Sequence, residues 1–135
     1  MAVATVGSKT DVGAGNIFYW YSGVKSVNNT ETDMIASTDV GTRDFLIKMQ
    51  VAVQSDISND FRLVVYTGPA DGTEADVVLY SMDMTETADI GRHGPTVPLE
   101  IMVPKDSAFR VSLQNVVGTT ARSWSLTSHG HYLLK

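Results

Sequence analysis

The sequence predicts an all-β protein: an antiparallel β-sandwich, most simply a jelly roll of about eight strands, with an immunoglobulin-like sandwich as the alternative. Three observations carry this. First, Arg43 to Gln54 reads R-D-F-L-I-K-M-Q-V-A-V-Q, with Phe45, Ile47, Met49, Val51 and Val53 on every second residue and Lys48, Gln50 and Gln54 between them. A period of two sorts apolar and polar side chains onto opposite faces of an extended strand, which no helix would do. Second, similar alternation recurs along the chain, with turn signals every 8–12 residues or so. Third, strands do not alternate with helices, which excludes a parallel sheet on pattern. Two sheets of four antiparallel strands make a jelly roll, and the long late connection fits it. Strand counting alone does not separate it from the immunoglobulin-like alternative.

The elements follow in order. Residues 1–15 are small and polar (Gly7, Ser8, Lys9, Thr10, Asp11, Gly13, Gly15) and are expected to form a flexible N-terminal arm, with residues 16–135 as one sandwich domain. Asn16 to Ser26 contains the β-rich aromatic run Ile17-Phe18-Tyr19-Trp20-Tyr21, and Thr30–Ser37 is a shorter strand. After Arg43–Gln54, the segment Ser55–Asp60 reads as a turn because Asp, Asn and Ser bond their own backbone there. Asp60–Thr67 places Phe61, Leu63 and Val65 on one face. Gly68–Thr73 is a second turn, with Asp71-Gly72 suited to positive φ. Asp76–Met82 is the next strand, and Asp83–Asp89 is a two-turn helix candidate inside the polar connection Asp83–Pro95. Thr96–Pro104 alternates Leu99, Ile101 and Val103, and Pro98 and Pro104 push it to a sheet edge. Lys105-Asp106 links it tightly to Ser107–Asn115, where Phe109, Val111 and Leu113 oppose Arg110, Ser112 and Gln114. Gly118-Thr119-Thr120 is expected to close a hairpin onto the last strand, Arg122–Leu134.

Composition narrows the chemistry. The chain of 135 residues is the size of one domain and can bury a core without covalent staples. Cysteine is absent, which removes disulfides, thiolate metal sites and thiol nucleophiles. Net charge is −5 and the 10 Lys and Arg residues are scattered, so nucleic-acid binding is not expected. No run reaches about 18 apolar residues, and no membrane contact is expected. The opening M-A-V-A-T-V-G-S-K-T lacks the basic leader and apolar core of a signal peptide. Asn28-Asn29-Thr30 matches a glycosylation acceptor, to which the missing secretion signal gives little weight.

No constellation points to catalysis, and no enzymatic activity or cofactor is expected. No serine stands in a nucleophile elbow, and His93 lies in the turn G-R-H-G-P. His129 and His131, at i and i+2 in S-H-G-H-Y, would share one strand face and are weak metal candidates; the simpler reading is two exposed histidines flanking a flexible glycine. The acidic groups Asp56/Ser58/Asn59/Asp60, Asp71/Glu74/Asp76 and Asp83/Glu86/Asp89 lack the calcium ladder and read as turn residues. Glu100 alternates away from Leu99 and Ile101, toward solvent, with no second carboxylate to pair it for glycoside hydrolysis. The best candidate contact is Tyr19, Trp20 and Tyr21, as a subunit interface or ligand platform. Phe18 and Trp20 share one strand face and Tyr19 and Tyr21 the other, so one face can fill the core and the other face outward.

The arm Ala2–Gly15, the alternating strand Phe45–Val53 and the closing W-S-L-T-S-H-G-H-Y-L-L-K, in an acidic cysteine-free all-β chain, resemble bacteriophage capsid decoration (cement) proteins. The likeness spans the chain but is one of style, with no diagnostic motif. It implies a virion location on the capsid surface, a homo-oligomer, most simply a trimer, the major capsid protein as partner, and arm residues Val3, Val6, Lys9 and Asp11 in partner contact. The competing expectation is a carbohydrate-binding, lectin-like or receptor-binding β-sandwich module.

Overall fold

The computed structural model describes residues 10–12, 17–53, 61–69, 75–84 and 96–133. Among them ten strands form two antiparallel sheets, and none is helical. The strands are β1 (Thr10–Val12), β2 (Ile17–Tyr21), β3 (Lys25–Val27), β4 (Thr32–Asp39), β5 (Phe45–Val53), β6 (Phe61–Pro69), β7 (Val77–Met84), β8 (Thr96–Val103), β9 (Ser107–Asn115) and β10 (Arg122–Tyr132). One sheet runs β1-β2-β10-β5-β8, with β3 also on β10; the other runs β4-β9-β6-β7. From β3 onward the chain passes back and forth between the sheets, staying in one sheet only for the β6–β7 hairpin. Interleaved antiparallel sheets of this kind are the jelly-roll arrangement.

The core is the alternation made solid. Phe45, Ile47, Met49 and Val51 of β5 face Phe61, Leu63 and Val65 of β6 and Phe109, Val111 and Leu113 of β9, all essentially without solvent contact. Phe45 meets Phe109 across the sheets at 5.6 Å between ring centroids, and Phe61 meets Trp124 at 5.1 Å. Each such buried side chain contributes roughly 1.5–3 kcal/mol by leaving water. Gly130 sits where this packing is tightest. A Cβ there would collide with Cε2 and Cζ of Phe45 and with the carbonyl oxygen of Leu46. The glycine between the two histidines is therefore a packing requirement, not a point of flexibility.

The aromatic stretch Asn16–Ser26 divides in two. β2 pairs Tyr21 with Thr127, and β3 pairs Lys25 with Trp124, so the chain gains one residue on β10 at Ser22–Val24. Gly23 takes the positive φ of 73° that this bulge requires. The buried Ser22 holds it: its hydroxyl accepts from Leu126 N at 2.8 Å and donates to the Gly23 carbonyl at 2.7 Å.

Several expectations change. Residues 10–12, inside the expected arm, pair with β2 as β1. Asp83 and Met84 of the helix candidate belong to β7, because their backbone continues the ladder against Arg62 and Phe61; residues 85–95 lie outside the described residues. Gly118-Thr119-Thr120 does not close a hairpin: β9 and β10 lie in different sheets, and the turn carries the chain across the sandwich. The β8–β9 link also crosses between sheets. It is tight, with Asp106 at φ 57° donating its N–H to the Gly41 carbonyl at 2.7 Å. β8 lies at a sheet edge, as expected of a strand that contains Pro98 and is followed by Pro104.

Candidate interaction surface

The outer face of the first sheet gathers the sequence-predicted site residues that the structure describes. β10 turns Trp124, Leu126 and Ser128 inward, which sends Thr127, His129 and His131 outward. Strand register then builds two rows across the face. Tyr19 of β2, His129 of β10 and Lys48 of β5 form one; Ile17, His131, Leu46 and Met102 of β8 form the other. Tyr19 is 42% exposed and Met102 46% exposed. The Tyr19 and His129 rings lie 6.4 Å apart, tilted by 40°. Tyr21, Ile17 and Leu46 are half-buried on the same side. The result is a surface of apolar and aromatic side chains, with Lys48 as the cationic group in the row of Tyr19 and His129.

Trp20 does not belong to that platform. It is 5% exposed, and its Nε1–H donates to the Met34 carbonyl of β4 at 3.0 Å. Strand alternation sends it inward with the core, where its indole N–H finds a backbone acceptor. His129 and His131 do share one face, but Lys48 sits opposite His129 in the register, and an ammonium opposes a cation there. Among the described residues no group of three or more His, Asp or Glu side chains is placed to hold a metal ion. Val3, Val6, Lys9, His93, the turn Asp56–Asp60, Asp71, Glu74, Glu86 and Asp89 lie outside the described residues, as do the side chains of Asp11 and Glu100. Asp76 is exposed, and Asp83 forms an exposed ion pair with Arg62 at 2.7 Å.

The outer face of the second sheet holds a cluster that sequence reasoning missed. Arg110 and Ser112 alternate away from the core and read as solvent-facing, yet Arg110 is 6% and Ser112 1% exposed. The Arg110 guanidinium donates to Glu31 at 2.9 Å, to Asp33 at 2.8 Å and to the Ala75 carbonyl at 2.9 Å. It also lies over the Tyr66 ring, 4.0 Å from the centroid, and the Tyr66 hydroxyl donates to Glu31. Burial works against the Arg110 charge more than any other single influence, but the bonds to Asp33 and Glu31 together raise its pKa. Burial would raise the Glu31 carboxyl too; the bonds from Tyr66 and Arg110 outweigh it and hold the group below its ordinary value of 4.5. Tyr66 is pushed up by burial and by donating to the adjacent carboxylate. Glu31 just before β4 and Asp33 within it were a faint signal for this, since such an i, i+2 pair attracts a cation.

A third feature is a shallow polar groove of about 540 Å³ at one end of the sandwich, between the loop 115–119 and Asn29, Arg62 and Gln114. Its polar groups are largely engaged internally. Asn115 Oδ1 accepts from the amides of Val117 and Gly118 at 3.1 and 3.0 Å, and Gln114 donates to the Asn29 carbonyl at 2.8 Å.

No family model and no curated protein sequence matches the chain. Solved structures do. The VP2 subviral particle of infectious bursal disease virus superposes with a TM-score of 0.51 at 8% identity, over 86% of this chain and 32% of that one. The Gx strain of the same virus gives 0.50 at 12% identity, with the same coverages. The chain thus spans about a third of the length of these viral chains. A chain of Bacillus endospore appendages, a family of disulfide-linked pili, gives 0.49 at 12% identity over 100% of this chain and 98% of that one. At these identities the likeness to VP2 is one of fold.

Proposed function

We propose that the chain is a non-enzymatic structural protein of a virion, a capsid decoration protein that binds the major capsid protein on the shell surface as a trimer and stabilises it. The observation that carries this reading is the outer face of the first sheet, where Tyr19, Met102, Leu46, Ile17 and His131 present apolar and aromatic area. Exposed patches of that composition serve contact with another protein surface. A jelly roll with the VP2 fold is compatible with a place in a shell. Three protomers bound around one axis would multiply weak single contacts into firm attachment, because the second and third contacts form at high effective concentration.

The test is co-sedimentation with capsid shells stripped of surface proteins. The wild-type chain is expected to pellet with the shells and to raise their melting temperature. Tyr19→Ala and Met102→Ala are expected to weaken co-sedimentation at least tenfold while leaving the protein's own melting temperature unchanged. Adhesion that survives both substitutions would overturn the assignment of this face. The exposed Tyr19 ring beside His129 also favours a second reading, a lectin-like or receptor-binding platform on which a sugar stacks. Glycan-array binding lost on Tyr19→Ala, with no adhesion to shells, would select it.

A further inference from the structure

The first sheet carries its two histidines at its centre. β10 is the middle strand of the order β1-β2-β10-β5-β8, so His129 and His131 stand with two strands on either side, and both are exposed. Their positions are fixed by pairing on both flanks. His129 and His131 lie opposite Tyr19 and Ile17 of β2, and opposite Lys48 and Leu46 of β5. Gly130 between them is pinned from below, because a Cβ there would meet the Phe45 ring and the Leu46 carbonyl. A surface laid across this face covers both imidazoles; neither stands at the rim.

The titratable groups around the rings are few. From β2, Tyr19 faces His129, and Tyr21 stands one place along, opposite Thr127. From β5, Lys48 faces His129. Ile17 and Leu46, which face His131, do not titrate. The two histidines are neighbours of each other on one strand face. Neither β2 nor β5 contains an acidic residue. Asp44, just before β5, gives its carboxylate to the Lys105 amide at 2.9 Å. β1 and β8 are each one strand removed from β10. The strands that flank the histidines therefore set no carboxylate opposite either ring.

We propose that His129 and His131 make adhesion through this face acid-labile, so that the chain holds a shell at neutral pH and lets go at about pH 5.5. The inference rests on the shell contact proposed above and supplies its regulation. Neutral imidazoles can be covered together with Tyr19, Leu46 and Met102, giving up only hydrogen bonds to water. Imidazolium ions would carry two like charges, side by side, out of water, and an unpaired charge resists that strongly. Adhesion then requires each ring to release its proton, so protonation and binding oppose one another by linkage. A free imidazole passes from mostly neutral to mostly charged between about pH 7.5 and 5.5, and each ring that must be neutral when covered weakens binding by up to about tenfold over that span.

The experiment is co-sedimentation with stripped capsid shells at pH 7.5 and pH 5.5, reading for each protein the ratio of the two affinities. Both conditions lie above the Glu31 titration, which is held below 4.5, so circular dichroism is expected to be unchanged. The wild-type chain is expected to lose at least tenfold in affinity at the lower pH. With His129→Gln and His131→Gln together, the ratio is expected to stay within about twofold, whatever the affinity at pH 7.5. Calorimetry of the wild-type chain on shells at pH 6.5, in two buffers of different ionisation enthalpy, is expected to show protons released on binding, a readout that stands without any substitution. Equal or stronger adhesion at pH 5.5, a double variant that keeps the loss, or binding without proton release overturns the inference and leaves the decoration reading standing. No adhesion at pH 7.5 overturns the decoration reading, and the inference with it.

Discussion

Arg110→Met tests whether the cluster on the second sheet holds β4, β9 and the segment before β7 together. Methionine keeps an unbranched stem against Tyr66 and removes the guanidinium. Three acceptors then lose the guanidinium: Glu31 at 2.9 Å, which keeps the Tyr66 hydroxyl, Asp33 at 2.8 Å and the carbonyl of the fully buried Ala75 at 2.9 Å. Breaking a buried ion pair from one side costs about 3–5 kcal/mol. Here the Glu31 and Asp33 side chains are 33% and 36% exposed, so water re-solvates much of the carboxylate charge. That discount brings the expected loss to about 2–3 kcal/mol, or roughly 10 °C in melting temperature for a domain of this size. Urea denaturation at neutral pH measures it. A loss below about 0.5 kcal/mol would refute the reasoning.

The same variant carries a pH signature. The folded state holds the Glu31 carboxyl below its ordinary value of 4.5, so the folded chain binds fewer protons there than the unfolded one. The resulting stabilisation is present in full above 4.5 and is lost as pH falls through the lowered folded value. Without Arg110, a principal source of that lowering is gone. The stability of wild type and variant is therefore expected to converge as the solution is acidified below 4.5. Parallel curves through that range would show that the guanidinium does not set the Glu31 titration.

Three further outcomes follow from single observations. Gly130→Ala is expected to cost about 3 kcal/mol, the upper end for overpacking, because the new Cβ meets backbone at Leu46 as well as the Phe45 ring; Phe45→Leu in the same chain should recover part of it in chemical denaturation. Ser22→Ala leaves the buried Leu126 amide without its acceptor and is expected to cost about 1–3 kcal/mol, with faster hydrogen exchange at that amide as the local readout. Met102 is expected to oxidise readily in peroxide in the free protein and to be protected on shells, since it lies on the outer face of the first sheet; equal rates in both states would place the contact elsewhere.

The parts of the fold that were legible are those decided by neighbours in the chain. Phe45 to Val53 announced its two faces because burial imposes the period of two within one strand. Pro98 and Pro104 announced an edge because a residue without N–H cannot serve a central ladder. The parts that were not legible depend on partners far away. Gly118 to Thr120 is a good turn, but turn chemistry does not say which sheet receives the next strand; here Phe61 and Trp124 meet across the sandwich, and β10 must sit opposite β6, not beside β9. Arg110 looked like a solvated arginine because its carboxylates are 77 and 79 residues away. Gly130 looked loose because the Phe45 ring that demands it lies on another strand. Of the proposed platform, Tyr19 and Tyr21 followed from alternation, and the same alternation removes Trp20.

The two outer faces differ in what a partner would have to displace. On the second sheet the charges are already satisfied within the chain: Arg110 binds two carboxylates and a carbonyl, and Arg62 binds Asp83. A protein laid over that face would dehydrate groups that have little left to offer, and unpaired desolvation opposes binding. On the first sheet, Tyr19 and Met102 remain partly in water, with Ile17 and Leu46 half-covered beside them. Covering them removes apolar area from water with few charges to strip. A jelly roll built this way has one outer face whose charges are engaged within the chain and one whose apolar groups stay partly in water.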